Sequence, residues 1–227
     1  MKRSDEAEML DDLEVRPEDL SASLNFMTQV NQALGGTRAV LDFLEERHVP
    51  QEFTVLDIGC GAGDIPHSIV TWARKKGKKA SVIAVDLNPL CVAYAAHHFS
   101  DPDIDFVRHS AFDLPSLGVF DFVISSMFFH HLDDEKIVEL LRSMNAQSRH
   151  GFLVNDLYRN VWNYLGAYIL GVFSFNPIVF NDAKLSVKRA FTESDFARYR
   201  QQCGLTDLRI QKKPVFRITL SRHDPTP

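Results

Sequence analysis

The apolar positions along the chain change period several times, and each change predicts an element. From about Asp19 to Arg47, Leu20, Leu24, Met27, Val30, Ala33 and Leu34, then Val40, Leu41 and Leu44, recur at helical spacing, with Gly35 and Gly36 between the two series. Two helices are therefore expected before the first strand. Five short runs rich in β-branched and aromatic residues follow, at 53–58, 81–86, 103–109, 120–126 and 149–156. The gaps between them are long enough for helices, and this alternation predicts a doubly wound α/β sheet with mostly parallel strands. Thr192 and Asp195 have the spacing of a reciprocal helix cap, opening a helix that runs to about Gln202 before Gly204. Residues 205–212 and 215–221 read as two further strands, for seven in all. Their connection around Pro214 is too short for a parallel crossover, so the last strand is expected to be antiparallel.

One stretch breaks the alternation. Residues 160–181 carry no charged side chain and are as long as a membrane span. Asn163, Asn176, Pro177 and two glycines interrupt them, and the residues beyond read as strands of the same domain. A buried or ligand-covering helix is expected instead, within a lid insertion at 157–191 after the fifth strand. Its aromatic residues, Tyr158, Trp162, Tyr164, Tyr168, Phe173, Phe175 and Phe180, suit a planar or greasy ligand. Core packing, a dimer face and peripheral membrane contact are open alternatives for the same side chains, so both monomer and homodimer remain possible. The rest divides into N-terminal helices (19–48), a central core (52–156) and a C-terminal helix with strands (192–222), one domain over 19–227.

Composition narrows the class. The chain has 227 residues, with 45% hydrophobic residues, 17 Phe and 24% charged residues, which fits a globular protein with one core. The net charge of -5 is uneven: residues 1–20 hold eight acids and three bases, leaving 22 of each sign in the remainder. Residues 1–18 are thus expected to be a flexible acidic extension, and the neutral body excludes a broad surface for nucleic acid. The basic run 73–79, ARKKGKK, reads as a helix C-terminus and turn, where cations oppose the helix dipole. Cys60, Cys91 and Cys203 are odd in number and lack a C-x-x-C pair, which fits reduced thiols. The N-terminus has no apolar core of the secretory kind, so a cytoplasmic location is expected.

The chemistry concentrates at residues 55–64, VLDIGCGAGD, where a strand enters a glycine-rich turn that opens a helix. Glycines there let the backbone turn sharply and approach a ligand at the strand's carboxyl end. A dinucleotide fingerprint fails, because the third glycine would fall on Asp64 or Pro66. Asp64 also places a carboxylate where a pyrophosphate needs bare amides, so the loop favours a neutral or cationic ligand. The next strand ends in Asp86, 23 residues after Gly63, and a carboxylate there can accept both hydroxyls of a ribose.

The D-x-G-x-G-x-G segment with this acidic strand end resembles the class I S-adenosylmethionine-dependent methyltransferases over roughly residues 50–156. HSAFDLP (109–115) and FDFVISSMFFHHLDD (120–134) extend the similarity. The resemblance implies a Rossmann-like fold, S-adenosylmethionine as cofactor and S-adenosylhomocysteine as product. It implies that Asp57 and the backbone of Gly59, Cys60, Gly61 and Gly63 cradle the methionine part and that Asp86 holds the ribose. Leu87 would pack on adenine, Ala111 and Phe112 on its other face, and Ser125 and Ser126 would lie near the sulfonium. Ser110 stands where the family usually has an acid. NQALGGTR (31–38), NDLYRN (155–160) and LSVKRAFT (185–192) are similar to a bacterial subgroup acting on small molecules, some associated with type III polyketide synthases.

An acceptor hydroxyl of ordinary acidity benefits from a base, which histidine supplies best near neutrality. His130 and His131, after the fourth strand, are the candidates, with His130 slightly favoured; either one could instead simply hold the loop. The remaining histidines show no metal-ligand spacing, so no metal is expected. Tyr158, Arg159 and Trp162 are the substrate-side candidates, Arg159 for an acidic substituent if it is not ordinary solvated charge. These observations lead to an expected O-methyltransferase of a lipophilic aromatic small molecule, phenolic or quinone-like. Methylation of carbon or nitrogen, and a non-catalytic cofactor-binding interaction module, are the alternatives.

Overall fold

A computed structural model describes residues 1–11 and 16–222; residues 12–15 of the acidic extension and 223–227 lie outside it. Seven strands, β1 (Glu52–Ile58), β2 (Lys79–Asp86), β3 (Ile104–Arg108), β4 (Phe122–Ser126), β5 (Phe152–Leu157), β6 (Arg209–Lys213) and β7 (Arg217–Ser221), form one sheet in the order β3-β2-β1-β4-β5-β7-β6. The first five are parallel, and β7 runs antiparallel to both β5 and β6. Strand order reverses between β1 and β4, and in open α/β sheets the crevice at that switch, outside the carboxyl ends, is where ligands bind.

Alternate residues serve opposite faces, so both faces of the sheet are buried. Val55, Phe122, Ile124 and Leu153 join the core under α2 (Gly36–Glu45) and α3 (Asp64–Lys75). Leu56, Ile58, Val123, Phe152 and Val154 join the other, under α5 (Asp134–Gln147) and α8 (Glu193–Cys203). The predicted cap is present: the Thr192 side chain accepts from the Asp195 backbone while the Asp195 side chain accepts from that of Thr192. The basic run 73–79 ends α3 and turns into β2, and Arg74 pairs with Asp101 and Asp103, each at 2.6 Å.

Strand boundaries differ most at the C-terminus. Residues 205–208 are loop after the left-handed Gly204, and Val215 and Phe216 take φ of 56° and 60° in the β6–β7 turn instead of opening β7. Only residues 214–216 link the two antiparallel strands, so these β-favouring residues are used to reverse the chain.

The N-terminal helices are α1 (Pro17–Ala33) and α2, with Gly35 left-handed between them, and α1 packs against α4 (Pro89–His98). The described residues 1–11 of the acidic extension lie against α7 (Pro177–Arg189) and the start of α5. Arg3 donates to the Arg189 and Leu132 carbonyls and pairs with Asp134 at 2.9 Å, and the Met9 and Leu10 amides donate to Asp182.

The uncharged stretch forms two helices, α6 (Val161–Phe173) and α7 (Pro177–Arg189), turned back on each other. Of the two expectations, a buried or a ligand-covering helix, the first fails for α6. It buries only the stripe Asn163, Ala167 and Gly171, because Gly171 lets the α7 backbone come close: a Cβ there would lie 3.0 Å from Phe180 Cα. Its large apolar side chains stay outside, including Trp162 at 72% exposure and Phe173 at 70%. Among the described residues no helix is long and apolar enough to cross a membrane.

Candidate active site

The loop after β1 is pinned to the end of β2. The Gly59 and Cys60 amides donate to the Val85 carbonyl at 2.9 and 3.0 Å, and the Gly61 amide donates to Asp86 Oδ2 at 3.0 Å. Asp86 Oδ1 accepts from the Asn88 amide at 2.9 Å. Each oxygen therefore keeps lone-pair capacity toward the crevice. Burial raises the Asp86 carboxyl, offset in part by these amides and by His131.

Two glycines show why the motif needs its spacing. Gly63, at φ +85°, opens α3 so close to α4 that a Cβ would sit 2.8 Å from Ala95 Cβ and 3.0 Å from the Phe106 ring. Gly61, at φ +49°, faces open space, with only Leu24 near at 3.9 Å, and so leaves a cradle for a ligand. Gly63→Ala is expected to cost about 1–3 kcal/mol from overpacking, with about 1–2 kcal/mol more for the left-handed backbone. Gly77→Ala, with nothing within 4 Å, should show only the backbone part. Urea midpoints of the two variants measure the difference; equal shifts would refute the packing argument.

A small cavity at the switch point is lined by Asn31, Asp57, Gly59, Gly61, Asp64 and Met127, among others, with Ser126 at its edge. It contains two buried acids. Burial, with Asp64 and Asp86 nearby, pushes Asp57 well above the usual carboxylate range, and burial lifts Asp64 to about 6. A pocket with this pair is suited to a cationic group, in line with Asp64 at the helix start. Leu87, 55% exposed, and Phe112, 37% exposed, present apolar surface along the same edge, with Ala111 buried nearby in the chain. The Ser110 hydroxyl accepts from the Phe112 amide at 3.2 Å and fixes that turn. Ser125 is turned away: its hydroxyl donates to the Ile58 carbonyl. Cys60 contributes its backbone, its buried thiol being pushed up in pKa chiefly by burial. These groups fit a nucleoside-bearing cofactor with a cationic end.

The two histidines separate. His130 is fully buried: its Nδ1 is 2.8 Å from Asp156 Oδ1, its amide donates to Asp156 Oδ2, and its Nε2 faces Glu8 at 3.5 Å. Burial alone would raise Asp156, and His130, the Leu157 amide and His131 together outweigh it, holding the carboxyl below its ordinary value. His131 is half-buried and close enough to both Asp86 and Asp156 to lower each. α7 packs on the turn that carries both rings.

The substrate-side candidates scatter. Arg159, expected to meet an acidic substituent, is instead buried and structural: it pairs with Asp195 at 2.9 Å and donates to the Ala190 and Met1 carbonyls. The charge is already taken by the α8 cap. Tyr158 bridges to Phe191, its carbonyl accepting from Asn163, and Trp162 lies exposed on α6. Glu8 and Arg217 enter the site's surroundings without a sequence signal, while Asn31 and Asp156 lie in the NQALGGTR and NDLYRN segments, whose resemblance gives them no role, since each is set by a partner distant in the chain.

Residues 55–151 match a family model described as a methyltransferase domain. Among curated proteins none matches the chain in sequence. Among solved structures, human N-acetylserotonin methyltransferase in complex with SAM is similar at 19% identity and a TM-score of 0.64, over 93% of this chain and 57% of that one. The plantazolicin methyltransferase BpumL in complex with SAH is 11% identical with a TM-score of 0.65, over 95% and 99%. PigF with SAH is 17% identical with a TM-score of 0.68, over 97% and 63%. The chain thus spans less than two thirds of the human protein and of PigF. The matched residues run from β1 to just before β5, and within them the acidic β2 terminus meets the glycine loop at the switch point of a 3-2-1-4-5-7-6 sheet: this stretch is similar to a methyltransferase domain, and the chain has the fold of solved S-adenosylmethionine-dependent methyltransferases.

Proposed function

We propose that the protein moves the methyl group of S-adenosylmethionine to a hydroxyl oxygen of a lipophilic aromatic small molecule, phenolic or quinone-like, in the cytoplasm. The observation that carries the acceptor side is His131 beside Asp86, under α7, with the uncharged, aromatic α6 packed against that helix. A charged acceptor would find no counter-ion on α6.

When bound, the cofactor supplies a sulfonium methyl open to in-line displacement. Asp86 would accept from the ribose hydroxyls, Leu87 and Phe112 would flank the adenine, and Asp57 and Asp64 would receive the ammonium. His131 would take the acceptor proton on a ring nitrogen. His130 serves as its support, since both of its ring nitrogens face buried carboxylates. Phe129, buried beside them, helps keep water from the turn. Alignment and exclusion of water are the main demands of such a displacement.

Calorimetric titration with S-adenosylmethionine, S-adenosylhomocysteine and NAD tests the cofactor, followed by turnover of phenols and quinols. Micromolar binding of the first two without NAD is expected, and Asp86→Ala should weaken it at least tenfold by removing charge-assisted acceptors. Binding without turnover of any hydroxylated aromatic would favour an interaction module using the exposed face of α6.

A further inference from the structure

The β6–β7 turn delivers a single charge beneath the cofactor crevice. Arg217 is 1% exposed and has no ion pair among the described residues. Its Nη2 donates to Asn31 Oδ1 at 3.1 Å, its Nη1 meets only the Met127 thioether, and its Nε has no partner. A buried guanidinium without a contacting carboxylate is costly, and a thioether is a weak acceptor. The surroundings are built around this arrangement. A Cβ on Gly36 would lie 2.7 Å from Asn31 Oδ1 and 3.0 Å from Arg217 Nη2, so a larger residue there would displace the ends of both side chains. Backbone strain flanks it on both sides, with Met127 at φ 60° and Val215 and Phe216 at 56° and 60°, and such strain persists where the surroundings over-determine a site.

Asn31 and Met127, the two residues Arg217 touches, line the same cavity as Asp57 and Asp64. Asn31 also bridges, its amide lying 3.5 Å from Asp64 Oδ2. Acids stand on one side of the cavity and a guanidinium behind the other, a polarity complementary to an α-amino acid zwitterion. We infer that Arg217, aided by Asn31, is the site for the α-carboxylate at the methionyl end of the cofactor, with Asp57 and Asp64 receiving the ammonium. A guanidinium offers the paired donors that a carboxylate accepts through two parallel hydrogen bonds, and here its Nε has no partner. The inference rests on the proposed cofactor.

The test is calorimetric titration of wild type, Arg217→Met, Arg217→Lys and Asn31→Ala with S-adenosylmethionine and with decarboxylated S-adenosylmethionine, which keeps the amine and lacks the carboxylate. Wild type should prefer the carboxylated form at least tenfold. Arg217→Met should abolish that preference by weakening only the carboxylated ligand, Arg217→Lys should restore part of it, and Asn31→Ala should reduce it. Asn31→Ala decides the matter if Arg217→Met does not fold. A preference that survives in the variants, equal binding of both ligands by wild type, or equal weakening of both in Arg217→Met overturns the inference while leaving the cofactor in place. Failure of wild type to bind S-adenosylmethionine or S-adenosylhomocysteine overturns the cofactor reading and this inference with it.

Discussion

Replacing His131 by alanine is expected to lower kcat about 10²–10⁴-fold, the usual contribution of a general base, and to leave cofactor affinity within about threefold. The two histidines are adjacent, with ring centroids 4.2 Å apart, yet their environments assign them different work. His130 is enclosed between Asp156 and Glu8, so an acceptor cannot approach either nitrogen while the N-terminal segment is seated. His131 is half-buried and close to Asp86, the residue proposed to hold the ribose. Steady-state kinetics with a phenolic acceptor, alongside calorimetry, separate the two effects. An unchanged kcat would remove His131 from the chemistry, and a parallel loss of cofactor affinity would make it structural.

Asp156→Ala is expected to destabilise the protein by about 3–5 kcal/mol, the cost of leaving one member of a buried ion pair alone. Asp156 is fully buried, and its two oxygens take the ring and the amide of His130. The consequence should extend along the chain, because the His130 carbonyl accepts from Arg189, which ends α7. Since the native carboxyl lies below its unfolded value, its contribution to stability is fully present above about pH 4. That contribution is lost as pH falls through the lowered native value. Urea midpoints of wild type and variant should therefore differ most at neutral pH and converge in acid. A gap that is constant with pH would show that the loss comes from packing and not from the charge.

Much of the fold was legible because its signals are local. The switch between helical and strand periods, the Thr192 and Asp195 cap and the short link at Pro214 each depend on a few neighbouring residues, and each reappears in the structure. The cofactor side was similarly readable, since the loop from Gly59 to Gly63 and the terminal Asp86 of β2 are bound to consecutive parallel strands. The acceptor side was not. Arg159 read as a free charge near the lid, yet Asp195, 36 residues on, claims it. α6 read as a buried or ligand-covering helix because it carries no charge, and the structure buries only Asn163, Ala167 and Gly171 of it.

The sequence by itself determined the class of sheet and the meeting of the glycine loop with the acidic end of β2, because period, glycine conformation and strand-end acids act within a few residues. Only the tertiary structure decided which histidine is enclosed, that Glu8 and Asp156 flank it, and that Arg217 stands behind Asn31 without a carboxylate. Those outcomes turn on burial and on partners up to 186 residues apart, and burial is a property of the packed chain that no spacing rule contains.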